Sequence, residues 1–214
     1  MGNNLQKLLE FGSDPLGAYL IDFPEDIAQQ AGTLSAEFAG LCLQKNGFFA
    51  FESALHVFPV GNTLHTYNLQ RWNSETLWRS EYSDMAEGFL FFAQDAFGEQ
   101  FGLKDGYVWR FNPETGDSVQ ISSSLEEWAG LLLSDYEYET GYIFAHEWQN
   151  RKGRLLADHR ILPLVPFVAG GKYELTNFYS ENMVAGMKSR ANLARQIRDL
   201  PNGSPIQIKF LEGN

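Results

Sequence analysis

Residues 88–135, GFLFFAQDAFGEQFGLKDGYVWRFNPETGDSVQISSSLEEWAGLLLSD, decide the fold: short strands cut by turn chemistry, then one helix. Phe89 to Ala93 is an apolar run of strand length, and Phe101 and Leu103 alternate about Gly102 on the period of two that one buried sheet face requires. Lys104-Asp105-Gly106 supplies an Asp-Gly pair for a tight hairpin, because glycine accepts positive φ without a Cβ clash. Tyr107 to Phe111 alternates again as a third strand. Asn112-Pro113-Glu114-Thr115-Gly116-Asp117 then punctuates the chain before Val119 and Ile121. Ser123 or Ser124 can cap the following helix, with Glu126 or Glu127 at capping-box spacing. Leu125, Trp128, Leu131 and Leu132 form its apolar stripe.

Working outward, Leu5, Leu8 and Leu9 predict a short amphipathic helix ended by Gly12 and Pro15, and Tyr19 to Phe23 a brief strand or extended arm. Pro24-Glu25-Asp26 opens a helix through Gln30, with two acids at the positive end of its macrodipole. Ser35 to Gln44 is the next, with Leu34, Phe38, Leu41 and Cys42 on one side and Asn46-Gly47 as its stop. Phe48 to Pro59 is strand or short helix, which its periodicity does not separate. Trp72 and Trp78 fall in an irregular interval with a short helix. Beyond Asp135, residues 141–151 predict a helix with Ile143, Phe144 and Trp148 on one face. Pro163 and Pro166 make ILPLVPFV an extended crossing segment rather than a central strand, since proline removes a ladder donor. Tyr173 to Tyr179 predicts a strand, Glu181 to Asp199 a helix with Met183, Met187, Leu193, Ala194 and Ile197 inward, and Ile206 to Phe210 a last strand. Lys188, Arg190, Arg195 and Arg198 read as that helix's solvated face.

The 214 residues, 44% apolar and 20% charged, suit one globular domain. Residues 1–33 form its helical lead-in, 34–139 its core and 140–214 a strand-helix-strand extension. No apolar run reaches membrane-helix length, MGNNLQKLLEFG has no signal-peptide core, and the single Cys42 forms no internal disulfide; the expected location is the cytoplasm. Residues 81–139 hold thirteen acids against Lys104 and Arg110 alone, whereas the chain beyond Thr140 carries more bases than acids. The central unit thus concentrates the net charge of -11, a field that repels nucleic acid and anionic membranes and favours a basic partner.

Catalytic motifs find no anchor. His146-Glu147 lacks the second histidine of a zinc helix, Asn150 standing in its place. Gly170-Gly171-Lys172 lacks the spacing of a phosphate loop. Cys42 lies on an apolar helix side, where a buried inert thiol is expected. Asp95 and Glu99 could pair for acid/base work, but turn solvation accounts for them better. Asp135, Glu137 and Glu139 lack the glycine and terminal glutamate of a calcium loop. No cofactor or metal is expected.

The pattern Phe92-Ala93-x-Asp95-x-x-Gly98 inside FFAQDAFGEQFGL, with the FNPETGD turn and the SLEEWAGLLL helix, resembles the SUKH superfamily. The resemblance covers about residues 34–135 of this chain. That superfamily contains bacterial immunity proteins that neutralise polymorphic toxins and fungal regulators of cell-wall glucan synthesis. The resemblance implies an α+β domain, a mostly antiparallel sheet with helices packed on it, that binds a protein rather than turning over a substrate. The expected partner is a cognate basic toxin that targets nucleic acid, bound by a monomer or weak homo-oligomer. The expected contact surface is Asp95, Glu99, Asp105, Glu114, Asp117, Asp135, Glu137 and Glu139, with Trp109, Tyr136 and Tyr138 as anchors. A regulatory scaffold of the same fold, or a small-molecule enzyme, are the alternatives.

Overall fold

Asp105 and Gly106 close a two-residue hairpin in which both φ angles are positive (51° and 80°) and Lys104 pairs with Tyr107, the turn whose twist matches its flanking strands. In the computed structural model, which describes residues 2–63, 67–201 and 203–205, that hairpin sits within a six-stranded antiparallel sheet. The strands run in chain order: β1 (Phe48–Ala50), β2 (Leu55–Val57), β3 (Leu90–Gln94), β4 (Gln100–Lys104), β5 (Tyr107–Phe111) and β6 (Ser118–Ser122). The stretch 48–59, open between strand and helix from periodicity, is therefore a hairpin, with Phe48 opposite Val57.

Beside the expected single buried face, the structure places a second. Phe92 and Phe101 pack on Trp128 of α5 (Leu125–Ser134), and Phe92 also meets Phe38 of α3 (Ser35–Gln44). Phe89, Phe91 and Phe111 point the other way, toward Trp78 and Tyr82. The segment 69–86, a short helix α4 (Leu69–Trp72) and a 3₁₀ stretch (Arg79–Ala86), covers that second face. Gly102 makes this approach possible: a Cβ there would stand 3.0 Å from both the Phe89 and Phe91 rings.

Two carboxylates tie helix starts across the chain. Ser124 caps α5 by accepting from Glu127 N, as its spacing predicts, and Glu37 Oε2 adds bonds from Leu125 N (2.8 Å) and Glu126 N (3.2 Å). Glu126 in turn accepts from Asn4 N (2.6 Å) and Leu5 N (3.1 Å) at the start of α1 (Asn3–Phe11), whose Leu5, Leu8 and Leu9 are buried as expected. Between α1 and α3 lies α2 (Glu25–Ala31), ended by Gly32 at φ 58°.

Beyond α5 follow α6 (Tyr136–Glu139) and α7 (Tyr142–Lys152), then β7 (His159–Pro163) and β8 (Phe178–Asn182), paired as a two-stranded antiparallel sheet, and α8 (Met183–Ile197). Three expectations are corrected here. The extended 161–168 segment is in part a strand, tolerable because Pro163 ends it and a two-stranded sheet offers only edges. The strand expected at 173–179 begins at Phe178, because Leu175–Asn177 forms a 3₁₀ turn in which the Asn177 side chain bridges Val165 and Lys172. Ile143 is exposed, leaving Ala145 and Trp148 as the buried positions of α7. Met183, Met187, Leu193 and Ala194 are buried on α8 as expected. The expected strand at 206–210 lies outside the described residues. Ile161 N donates to Ala96 O (2.9 Å), and one buried apolar cluster runs from Leu5 to Ala194, so lead-in, sheet and extension share a core.

Candidate interaction site at the turn end of the sheet

A meander sends alternate turns to opposite ends. The turns 51–54, 95–99 and 112–117 therefore meet at one end of the sheet, and Asp105-Gly106 lies at the other. α6 and α7 cross the first end: Ala96 N donates to Thr140 O (3.1 Å), and a Cβ on Gly141 would stand 2.7 Å from the Phe97 ring. This end collects Asp95, Glu99, Glu114, Asp117, Asp135, Tyr136, Glu137, Tyr138 and Glu139. Asp105 is separated from them by the length of the strands. Trp109 is half-buried in mid-strand, its indole N–H donating to Lys104 O (3.0 Å).

Several of these groups point inward. Asp95, expected in a solvated turn, is only 5% exposed. Its Oδ1 accepts from Phe97 N (2.9 Å) and Glu99 N (2.8 Å), so the carboxyl builds the turn rather than decorating it. Glu114 is equally buried, and its Oε2 accepts from Val168 N (2.9 Å). Arg110 Nη2 donates to Glu139 O (3.1 Å) and Oε2 (2.5 Å), and its Nε lies 3.7 Å from Glu99. Arg190, expected on a solvated face, is buried and donates to Phe97 O (2.5 Å) and Gly186 O (3.0 Å). Arg160 is fully buried, donating to His159 O (2.6 Å) with its guanidinium 5.9 Å from the Phe49 ring centre. Burial draws the Arg160 pKa down to about 10, against the pull of Asp95 and Asp158.

Burial, and then the charge of Glu99, push the Asp95 carboxyl up to about 8, against Arg110 and the two turn amides. The folded chain thus holds this proton to about pH 8, whereas the unfolded chain releases it near the ordinary aspartate value of about 3.9. The stability it contributes is fully present below about pH 4 and is lost as pH rises through about 8. Asp95→Asn, which keeps the acceptor and stays neutral, is expected to gain on wild type across that window by up to about 1.4 kcal/mol per pH unit, levelling off above it. Urea denaturation at a series of pH values measures the gap. A gap that does not change with pH would refute the buried proton.

The outer layer is aromatic. Phe11, Phe51, Tyr136, Tyr142 and His146 form a run of rings with centroids 5.4, 4.7, 5.2 and 5.4 Å apart. The β1–β2 turn that presents Phe51 is left-handed at Phe51, Glu52 and Ser53 (φ 52°, 52° and 71°), a conformation non-glycine residues adopt at a cost. Glu52 holds it in place: Oε2 meets His146 Nδ1 (2.8 Å), and its carbonyl accepts from Gln149 Nε2 (3.0 Å). His146 Nε2 meets Asn150 Nδ2 (2.9 Å). Sequence reasoning singled out His146 and Asn150 only as a failed metal helix, and missed Glu52, whose partner lies 94 residues away. Beyond the rings, Tyr138 is 76% exposed, Asp135 and Glu137 of the same short segment are exposed, and so is Asp117.

The charge segregation along the chain is partly answered within it. Arg195 pairs with Glu81 (3.2 Å) and Arg198 with Asp84, clasping α8 to the acidic segment. The Asp84 carboxyl is held down to about 2 by its hydrogen bond from Arg198. Cys42 is buried, which drives its thiol pKa far up, as expected of an inert thiol.

An antiparallel six-stranded meander with helices packed against it and an appended two-stranded sheet defines an α+β protein. In fold it is similar to the crystal structure of Atu4351 from Agrobacterium tumefaciens, which is 12% identical, with 89% of this chain and 88% of that chain covered at a TM-score of 0.56. At that identity the likeness shows the fold alone. No protein-family model matches the sequence, and no curated protein matches it. Among the described residues no helix is long and apolar enough to cross a membrane, and no group of three His, Cys, Asp or Glu side chains could hold a metal ion.

Proposed function

We propose that this chain is a non-catalytic binding protein that neutralises a basic, nucleic-acid-targeting protein toxin by covering its active surface, as the resemblance of residues 34–135 to SUKH immunity proteins implies. The observation that carries the reading is α6. Its outer side offers Tyr138 next to Glu137, with Asp135, which caps the helix at Tyr138 N (3.3 Å), at its start, all exposed, while its inner side is fixed by the Arg110–Glu139 pair and the Tyr136–Phe51 stack. An exposed aromatic flanked by like charges on a fixed element suits a binding hot spot, because little side-chain and backbone freedom is left to lose on association. The carboxylates would steer a basic surface toward it. Of the expected contact residues at this end of the sheet, Asp117, Asp135, Glu137 and Tyr138 remain available to a partner, and Asp105 is exposed at the other end. Asp95 and Glu114 are withdrawn by burial and Glu139 by its arginine.

The test is affinity capture from a native lysate at low and high salt with wild type and with Asp135→Asn/Glu137→Lys/Tyr138→Ala, in which asparagine keeps the cap on Tyr138 N, the retained material being identified by intact mass. A stoichiometric basic protein that leaves wild type as salt rises, and that the triple variant fails to retain, is the expected result. Tyr138→Ala alone should weaken its binding about thirtyfold. Equal capture by the triple variant would reject α6 as the contact surface, and an acidic or salt-indifferent partner would reject the electrostatic reading.

A further inference from the structure

A cavity of about 380 Å³ opens between β7 and α8, apart from the α6 surface, and nothing in the reading above uses it. Its volume falls within the range of small-molecule sites. Leu162 and Leu193, both nearly fully buried, and Pro166 give it an apolar wall. Charged groups of both signs also line it, and two of them have donor or acceptor capacity to spare. Glu114 is 5% exposed and spends Oε2 on Val168 N, while its Oε1 has no hydrogen bond among the described residues. Lys188, next along α8 from the buried Met187, is exposed and makes no hydrogen bond or ion pair among the described residues. Arg195 and Glu81 also line the cavity, but they are spent on each other, and the buried Arg190 on the same wall spends its guanidinium on Phe97 O, Gly186 O and Met187 Sδ.

A buried carboxylate with a free oxygen favours a cationic donor, because an ionised acceptor out of water is costly until it is paired. A free ammonium at the same cavity favours an anion, and the leucines and proline favour hydrocarbon. We propose that the cavity binds an amphipathic zwitterion of the amino-acid class: the ligand's ammonium on Glu114, its carboxylate on Lys188 and its apolar side chain against Leu162 and Leu193. A plain fatty or aromatic acid would leave Glu114 without a partner and add a like charge beside it. A simple cation would leave Lys188 unused.

The proposal is tested on the full chain by calorimetry and thermal melting with L-leucine, L-phenylalanine, N-acetyl-L-phenylalanine and L-phenylalaninamide. The free amino acids are expected to bind and, near saturation, to raise Tm by about 5 °C. Blocking either the amine or the carboxylate should weaken binding at least about tenfold. Glu114→Gln keeps an oxygen for Val168 N and should show a similar loss. Lys188→Met alters only an exposed position, so the fold survives and the same loss is expected. Absence of binding by both free amino acids at millimolar concentration would overturn the proposal. So would equal binding of the blocked derivatives, or undiminished binding by Lys188→Met.

Discussion

Arg110→Ala is expected to cost about 3 kcal/mol of folding stability at pH 8, because removing one partner of a largely buried ion pair leaves the other charge uncompensated. The side chains of Arg110 and Glu139 are 19% and 15% exposed, and Glu99 and Asp95 lie in the same enclosure. With the guanidinium gone, three carboxyls face one another beneath α6. The penalty should shrink as pH falls and Asp95 and Glu99, whose carboxyls burial holds above the ordinary range, protonate, so the variant's deficit at pH 5 is expected to be well under that at pH 8. Arg110→Lys should recover only part of the loss, since an ammonium cannot serve both the Glu139 carboxylate and its backbone carbonyl in one plane. Equilibrium denaturation at the two pH values measures all three quantities. A deficit independent of pH would mean that the side chain acts there through packing alone. Loss of the Arg110–Glu139 tie should also loosen α6, so the same variant tests whether partner capture depends on a fixed Tyr138.

Trp72→Ala is the second large effect, expected at about 4 kcal/mol. Trp72 is fully buried, stacks on Phe58 at 4.8 Å, lies 5.4 Å from Trp78 and donates its indole N–H to Gln100 Oε1 (2.8 Å). Alanine would open a cavity among rings that the sheet and α4 hold apart. Trp72→Phe separates the two contributions: it keeps most of the volume, loses the indole bond and should cost about 1–2 kcal/mol. Gln100 would retain its bond to Gly98 O (2.7 Å), which keeps the β3–β4 turn closed. Urea denaturation followed by far-UV circular dichroism reads both. If phenylalanine costs as much as alanine, the hydrogen bond rather than the packed volume dominates at this position.

Trp72 also marks where reading the chain by period stops. Among Asn68, Gln70, Arg71 and Asn73 it has no apolar stripe of its own, so it looks like loop. It is buried because β3 is buried on both faces, and that follows from two layers arriving from distant parts of the sequence. The strands themselves were predictable, since Asp105-Gly106, Asn112 to Asp117 and Gly98 act on their own neighbours. The helix starts at Pro24 and Ser124 and the Leu5, Leu8 and Leu9 stripe were predictable for the same reason.

The carboxylates behaved differently. In sequence Asp95, Glu114 and Glu139 are alike with Asp117, Asp135 and Glu137, and net charge counts them equally. Only the tertiary structure sorts them: the first three are held inward by turn amides, by Val168 N and by Arg110, and the others are left exposed. Arg190, Arg195 and Arg198, indistinguishable by helical spacing from a solvated face, were likewise divided between a buried anchor and two ion pairs to the acidic segment. Turn and cap positions on this chain follow from φ preference and hydrogen bonds within a few residues, so the amino-acid order determines them alone. Which charges meet solvent depends mostly on contacts between residues distant in the chain, 29 positions apart for Arg110–Glu139, 54 for Glu114–Val168 and 93 for Arg190–Phe97, and folding alone brings those together.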